Sequence, residues 1–249
     1  MKIKILLLLI ALISSLNAQN IKVAMAANLS YAMKPLTQAF HQLHPDIKVD
    51  TIIGGTGKLF AQIQHHAPFD LLLSANMLYP EKLYQSGDAI TRPIVYAQGS
   101  LVLLSTKDLD LSQGLDLLKD PTIKKIAIAN PKTAPYGIAT IQALKHANIY
   151  DTIKSKFVYG ESISQTLTYA TRVADIGFIA KSALFAPAMK RYQKGTHWVD
   201  IDPKLYSPID QGIVLLKHAQ RSKEASAFYA FMLSRQAKTI LESFGYRVP

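Results

Sequence analysis

Short apolar runs with strand-like composition alternate with longer amphipathic stretches along this chain. Residues 21–26 have the composition of a buried strand, and residues 31–43 carry apolar side chains at helical spacing. The same order returns at 47–53 and 58–65. Strands that alternate with helices in this way predict an α/β fold, in which mostly parallel sheets are flanked by helices.

The alternation continues to the C-terminus without a low-complexity linker or a repeat of fixed period. Further strands are predicted at 71–74, 100–105, 126–129, 157–159, 176–179 and 213–216, and further helices from Pro80 and at 138–147, 164–171, 223–234 and 236–244. Two α/β units without a linker suggest two lobes joined by crossing strands, for which 96–100 and 206–212 are the candidates. We predict a first lobe of 19–97 plus 211–249, a second lobe of 98–210, and a ligand cleft between them.

The first eighteen residues have the pattern of an export signal. Lys2 and Lys4 precede an unbroken apolar run at 5–13, and the segment ends with the small residue Ala18, after which we expect cleavage. A membrane anchor is the alternative, but the apolar run is far shorter than the roughly 20 residues that span a bilayer. Because the chain has no cysteine, it cannot carry a lipid anchor on that residue. We therefore expect a periplasmic protein.

Composition excludes several classes of site. The absence of cysteine rules out thiol catalysis and thiolate metal ligands. The formal charge is +11, and removal of Lys2 and Lys4 leaves 26 basic and 17 acidic residues. The basic residues are scattered and form no stripe with interleaved aromatic residues, so we expect no nucleic-acid partner. A diffuse positive field would instead speed the capture of a small anion.

Four strand-to-helix junctions contain the residues best suited to bind an anion. They are residues 26–30 (AANLS), 54–58 (GGTGK), 131–137 (PKTAPYG) and 160–165 (GESISQ). The first N–H groups of a helix lack intrahelical partners and carry the positive end of the helix dipole. Every α/β protein has such helix starts, so one loop alone is weak evidence. Four that converge would form an anion site without a charged side chain.

Individual residues in these loops lead to more specific predictions. Asn28 and Thr56 are of the types that cap helix N-termini, and Ser162 with Gln165 fits a capping box. The glycine-rich second loop is not a nucleotide P-loop, because its glycines are too close together and no hydroxyl residue follows Lys58. We expect the Lys58 side chain to lie on the solvated face of the helix.

With these loops in place, the sequence resembles a known family, the periplasmic molybdate-binding proteins of molybdate ABC transporters. The resemblance runs in order through nearly the whole chain after the export signal. It is carried by AANLSYAM at 26–33, GGTGKLFAQI at 54–63, APFDLLLSAN at 67–76, ANPKTAPYG at 129–137, GESISQTL at 160–167, DIGFIAKSAL at 175–184 and FYAFMLSRQAKTILESFGY at 228–246. Each stretch alone is weak, but together they are specific.

The resemblance implies a two-lobed periplasmic binding-protein fold of type II, with the oxyanion held by neutral donors. Carried over by position, the ligand-binding residues for molybdate or tungstate would be Asn28, Thr56, Tyr136 and Ile163. Asn28 would donate from its side chain, Thr56 from its hydroxyl, and Tyr136 and Ile163 from their backbone N–H groups. It also implies a membrane permease as partner, a monomer, no cofactor and no catalytic residue. Some relatives add a tyrosine hydroxyl where this chain has Ala180, and Tyr136 is a candidate to fill that space.

Other functions remain open at the level of sequence. An α/β enzyme acting on a small phosphate-bearing substrate could use the same helix starts. Against that alternative, the four loops contain no histidine, no arginine and only one acidic residue, Glu161, which we expect to face away from the cleft. A binding protein for sulfate or another anion on the same fold is the second alternative. Molybdate and tungstate are nearly equal in size, and both remain candidate ligands.

Overall fold

The computed structural model describes residues 19–249 of the chain. The predicted export signal at 1–18 lies outside the described residues. From residue 19 onward, no helix is both long enough and apolar enough to cross a membrane. This part of the chain folds into strands and α-helices that are joined by short turns, several of them of the 3-10 type.

The strands and helices alternate as the sequence pattern predicts. The strands are β1 (Gln19–Ala26), β2 (Ile47–Gly54), β3 (Leu71–Leu73), β4 (Ile94–Gly99), β5 (Leu101–Leu104), β6 (Ile126–Ala129), β7 (Phe157–Gly160), β8 (Ile176–Ala180), β9 (Trp198–Asp200) and β10 (Ile209–Leu215). The α-helices are α1 (Ser30–Leu43), α2 (Thr56–Gln64), α3 (Leu78–Ser86), α4 (Pro135–His146), α5 (Tyr150–Ile153), α6 (Ile163–Arg172), α7 (Lys223–Met232) and α8 (Arg235–Ser243).

Two five-stranded sheets form the cores of two lobes. The first sheet has the order β2-β1-β3-β10-β4, and the second has the order β7-β6-β8-β5-β9. In each sheet the first three strands in this order are parallel, and the fourth pairs antiparallel with both of its neighbours. Each sheet is therefore mostly parallel, and the two share one topology.

Burial explains why these segments adopt their structures. Val23, Ala24 and Met25 of β1 are all buried, as expected for a central strand that has helices on both faces. Helix α1 instead buries one stripe, in which Leu36 and Phe40 are one turn apart. These two burial patterns are the ones from which the strand and helix were predicted.

The chain passes between the sheets at two places. Strand β4 ends in the first sheet at Gly99, and β5 begins in the second sheet at Leu101, so only Ser100 lies between them. The return runs from the end of β9 at Asp200 to the start of β10 at Ile209. The first sheet is thus completed by a strand from the C-terminal part of the chain.

The C-terminal helices return to the first lobe, as predicted. Phe228 of α7 packs edge-on against Phe40 of α1, with ring centroids 5.0 Å apart. Beyond α8, Gln98 and Arg247 exchange backbone hydrogen bonds of 2.6 and 3.0 Å, which fasten the chain end to β4. The C-terminus is therefore part of the region where the chain crosses between lobes.

Several short elements were missed, among them the four-residue helix α5, and several boundaries were misplaced. The three-residue strand β9 and the 3-10 segment Leu111–Lys119 are too short or too irregular to produce a hydrophobic period. Helix α4 begins at Pro135, three residues before the predicted start. Proline suits the first helical position because its missing N–H would have no partner there.

The crossing at Gly99 generates a test of the packing. A Cβ atom at residue 99 would fall on the hydroxyl oxygen of Tyr136 and lie 3.0 Å from its ring carbon Cζ. We expect Gly99→Ala to lower the free energy of unfolding by about 1–3 kcal/mol through overpacking. Tyr136→Phe should cost little alone, because the Tyr136 hydroxyl has no hydrogen-bond partner within the described residues.

The double variant Gly99→Ala/Tyr136→Phe should recover part of the loss, since it removes the atom that the new methyl group meets. Urea unfolding of the four proteins measures this as a double-mutant cycle. Strict additivity of the two substitutions would show that Tyr136 does not pack against Gly99 as described.

Candidate functional site

A small cavity between the lobes contains all four of the predicted ligand-binding residues. Its lining consists of Ala26, Ala27, Asn28, Gly54, Gly55, Thr56, Ala75, Ala134, Pro135, Tyr136 and Ile163. The cavity volume is only about 10 Å³, far below the roughly 300–1,000 Å³ typical of organic-ligand pockets. None of these lining residues carries a charge. The cavity therefore suits a small ligand held by neutral groups.

Larger cavities exist on the surface, but they do not bring several of these helix starts together. One of about 230 Å³ is lined by residues that include His66, Asp88 and His218. None of the four helix starts contributes to that cavity. Size alone therefore does not identify the site, and the arrangement of donors does.

Three helices begin at the cavity wall. Thr56 is the first residue of α2, Ile163 is the first of α6, and Tyr136 is the second of α4, after Pro135. Their backbone N–H groups precede the first residue that can bond within its own helix. The positive ends of three helix dipoles therefore meet at one small volume. Such an arrangement favours an anion.

Thr56 lines the cavity, but it does not cap α2 as predicted. The N-cap is Gly55, and no side chain caps this helix. The hydroxyl oxygen of Thr56 instead accepts a hydrogen bond of 3.1 Å from the backbone N–H of Ala75. Because that bond uses the oxygen as an acceptor, the hydroxyl hydrogen remains available to a ligand.

Asn28 is also not a helix cap. It lies in a 3-10 turn, Ala27–Leu29, and the N-cap of α1 is Leu29, without a side-chain bond. The side-chain nitrogen Nδ2 of Asn28 donates to Oε1 of Gln211 and to the hydroxyl of Tyr246, at 2.8 Å each. Both amide hydrogens are thus engaged within the protein, and the backbone N–H is the donor that this residue offers to the cavity.

One polar atom of the Asn28 side chain has no hydrogen-bond partner within the described residues. Within the described residues, its Oδ1 is buried without a hydrogen-bond partner, and the same holds for the hydroxyl of Tyr136. The two groups are close enough for the Asn28 side chain to lower the pKa of Tyr136, although burial raises that pKa far more. Oδ1 of Asn28 can accept a hydrogen bond and the Tyr136 hydroxyl can donate one, so these two neighbouring groups are complementary.

Hydroxyl groups from distant parts of the chain bind the carbonyls of the first loop. The carbonyl of Ala27 accepts from Ser164 Oγ at 3.0 Å. The carbonyl of Asn28 accepts from Ser182 Oγ and from the Tyr246 hydroxyl, at 2.9 Å each. Ser164 lies on α6, and Ser182 follows β8, so both belong to elements of the second lobe. These bonds occupy the loop's acceptors and join the two lobes.

The lobes also meet at glycine residues of the second loop. The N–H of Gly57 donates to the carbonyl of Thr133 at 3.0 Å, and the Thr133 hydroxyl donates to the carbonyl of Glu161 at 3.1 Å. A Cβ atom on Gly55 would lie 2.9 Å from each of these two carbonyl oxygens. Glycine therefore allows the backbones to approach, and the structure represents a closed form.

The charged residues of these loops lie outside the cavity lining. Lys58 is exposed, as predicted, and so is Glu161. The carboxylate of Glu161 accepts a bond of 3.3 Å from the side chain of Asn130. Half of the predicted capping box is present, since the backbone N–H of Gln165 donates to Ser162 Oγ at 3.2 Å. The side chain of Gln165 instead accepts from the N–H of Glu161 at 2.7 Å, one residue before the N-cap Ser162.

Gln211, Tyr246 and Ser182 were not singled out in the sequence. Gln211 and Tyr246 are 183 and 218 residues away from Asn28 along the chain. The FGY stretch containing Tyr246 carried part of the family resemblance, but nothing in it indicated a contact with the first loop. Ala180, where some relatives have tyrosine, is buried at the end of β8.

Comparison with known proteins identifies the family of this chain. The family model for bacterial extracellular solute-binding proteins matches residues 21–247. The molybdate-binding protein ModA of Azotobacter vinelandii is 35% identical, over 92% of this chain and 90% of its own length. ModA of Rhodobacter capsulatus is 33% identical, over 90% of this chain and 86% of its own.

A solved structure extends the likeness to the fold. The periplasmic molybdate-binding protein of Azotobacter vinelandii superposes with a TM-score of 0.85 at 30% sequence identity, covering 92% of this chain and 99% of the other. The predicted two-lobed fold of type II is thereby confirmed. The chain therefore belongs to the bacterial extracellular solute-binding proteins and, among them, to the family of periplasmic molybdate-binding proteins.

Proposed function

We propose that this protein captures molybdate or tungstate in the periplasm and delivers it to the membrane permease of an ABC transporter. The ligand would occupy the cavity between the lobes, bound by the Thr56 hydroxyl and by backbone N–H groups that include those of Asn28, Tyr136 and Ile163. The observation that carries the proposal is the convergence of three helix starts on a small cavity with uncharged walls.

The distribution of donors and acceptors favours an anion without protons. Molybdate and tungstate are dianions that carry no proton at neutral pH, so all four oxygens act as acceptors. The carbonyls of Ala27 and Asn28 are already occupied by hydroxyl donors, and the remaining acceptor, Oδ1 of Asn28, has the Tyr136 hydroxyl beside it as a complementary donor. Hydrogen phosphate would bring an O–H that needs an acceptor, and leaving such a group unpaired costs about 1–3 kcal/mol. Sulfate is aprotic but smaller, and would lengthen several bonds in a rigid cavity.

An enzymatic function finds less support in the same cavity. Acid–base catalysis needs a titratable group within hydrogen-bond reach of the substrate. Tyr136 is the only titratable residue in the lining, and burial raises the pKa of its hydroxyl well above the ordinary value. We accordingly propose a binding protein that works without catalysis and without a cofactor.

The remaining parts of the proposal concern location and partners. The family description as extracellular, together with the sequence pattern at 1–18, supports export and cleavage near Ala18. We propose a permease as the membrane partner, as membership of the extracellular solute-binding proteins leads us to expect. We propose that the protein acts as a monomer and does not bind nucleic acid.

Ligand-linked stabilisation tests the identity of the anion. A ligand that binds only the folded state stabilises it by about 4 kcal/mol at a thousandfold excess over Kd. Molybdate and tungstate should raise the melting temperature by several degrees, whereas phosphate at the same concentration and ionic strength should not. An equal shift with phosphate would reject the proposed ligand, and a larger shift with sulfate would assign the protein to that anion instead.

Substitution of Thr56 tests the only side-chain donor in the proposed binding set. A hydrogen bond to a charged partner is worth about 1.5–3 kcal/mol, so Thr56→Ala should weaken molybdate binding by roughly tens-fold or more. Thr56→Ser keeps the hydroxyl and should bind almost normally. Lys58→Ala, which removes an exposed charge two residues away, should have a much smaller effect. Calorimetric titration of the four proteins decides this, and a greater loss for Lys58→Ala would show that the loop is misassigned.

The contact at Gly55 tests closure of the lobes. Gly55→Ala places a methyl group against two carbonyl oxygens of the opposite lobe, so it should hold the lobes apart and weaken binding. Lys58→Ala is the control, because it changes an exposed residue near Gly55 that lies outside the cavity lining. Small-angle scattering should show compaction with molybdate in the wild type and in Lys58→Ala, but not in Gly55→Ala. Compaction of all three proteins would contradict the role given to Gly55.

A further inference from the structure

Gln211 is a fully buried polar residue at an irregular point of a crossing strand. It lies on β10, where the pairing with β4 shifts register between Gln211 and Gly212. A bulge of this kind redirects side chains locally. The side chain contacts the first loop of the cavity, 183 residues earlier in the chain. A buried amide needs partners for its hydrogens and its oxygen, and these partners define its role.

The hydrogen bonds of Gln211 allow only one orientation of its amide. Its Nε2 donates to the carbonyl of Ile209 at 2.9 Å, so a flipped amide would turn Oε1 toward another oxygen. Oε1 must therefore face Asn28, where it accepts from Nδ2 at 2.8 Å. The Tyr246 hydroxyl donates to the Asn28 carbonyl and can only accept from Nδ2. The orientation of Asn28 is thus determined by groups outside the cavity.

We propose that Gln211 is a positioning residue for the anion cavity: it holds Asn28, and with it the turn Ala27–Leu29, in the shape that directs backbone N–H groups at the ligand. The role of Gln211 in shaping the loop follows from contacts within the protein. Its effect on affinity rests on the proposed function.

The same contact links the cavity to the crossing between the lobes. Gln211 is on β10, Tyr246 follows α8 at the chain end fastened to β4, and Ser182 follows β8 of the second sheet. All three contact Asn28. A structural change in the crossing strands is therefore transmitted to the turn Ala27–Leu29 through Asn28. Of the three residues that contact Asn28, Gln211 is the one that lies on the crossing strand β10.

Gln211→Glu distinguishes a positioning role from a merely space-filling role, because only the positioning role depends on the hydrogen bonds of this side chain. A protonated glutamic acid reproduces both bonds, because its carbonyl accepts from Asn28 and its O–H donates to Ile209. An ionised glutamate instead places an oxygen against the Ile209 carbonyl and a negative charge near the bound dianion, and burial raises the pKa of such a carboxyl group. The titratable groups around this position are the phenols of Tyr136 and Tyr246, whose pKa values burial raises, while Asp210 pairs with Gln98 instead.

Molybdate affinity should therefore depend on pH in the variant alone. In the wild type we expect a nearly constant Kd from pH 6 to 9. Gln211→Glu should bind well at low pH and lose about tenfold in affinity per pH unit once its carboxyl group ionises, with uptake of one proton on binding. Gln211→Met, of similar size but without hydrogen-bonding groups, should bind about tenfold more weakly at every pH. Gln38→Glu, which adds the same charge at an exposed position of α1, should behave as the wild type.

A second measurement needs no ligand. The side-chain NH2 group of Asn28, assigned by ¹⁵N NMR from its loss in Asn28→Asp, should be protected from solvent exchange in the wild type and should exchange faster in Gln211→Met, which lacks one of its two acceptors. A protected group in Gln211→Met, or a pH-independent affinity in Gln211→Glu, would overturn the positioning role. A wild type that binds no molybdate would refute the proposed function, while the exchange result would still decide the role of Gln211.

Discussion

Every peptide group that offers an N–H also carries a carbonyl, so a cavity that holds an anion with backbone donors must direct its carbonyl oxygens elsewhere. At the three helix starts this is achieved by the helix itself, because all carbonyls point toward its C-terminal end. The first loop is only a 3-10 turn of three residues, Ala27–Leu29, and needs outside help. Hydroxyl groups from α6, from the turn after β8 and from the C-terminal segment supply it.

This requirement also explains why the site spans both lobes. The loops from the second lobe bring two helix starts to the cavity and two of the hydroxyls that bind the first loop's carbonyls. Closing the lobes therefore assembles donors for the ligand and partners for the protein's own carbonyls at the same time. Gly55 and Gly57 allow the backbones to come close enough for this, and the Gly57 N–H bonds directly to the opposite lobe.

Local sequence patterns were sufficient to predict the α/β class and the four loops, whereas the four candidate residues and the type II fold came from the family resemblance. The buried run at 21–26, the helical spacing at 31–43 and the glycine-rich second loop are signals that neighbouring residues generate. The capping roles assigned to Asn28 and Thr56 were wrong because residue type shows a preference, whereas the partner is set by tertiary structure: Ala75 for Thr56, and Gln211 with Tyr246 for Asn28. Contacts across 183 and 218 residues have no local signature, and this is why the residues that orient Asn28 did not emerge from the sequence.

The shared topology of the two sheets has a consequence for the order in which they can form. The second sheet draws all its strands from β5 to β9, one continuous stretch of chain, whereas the first needs β10 between β3 and β4. As the chain is synthesised, the first lobe thus waits for its last strand and for α7 and α8. Contacts between distant residues are slow to form, because a long loop must be closed first. The first lobe is therefore begun first and completed last, because all residues of the second lobe have been synthesised before β10.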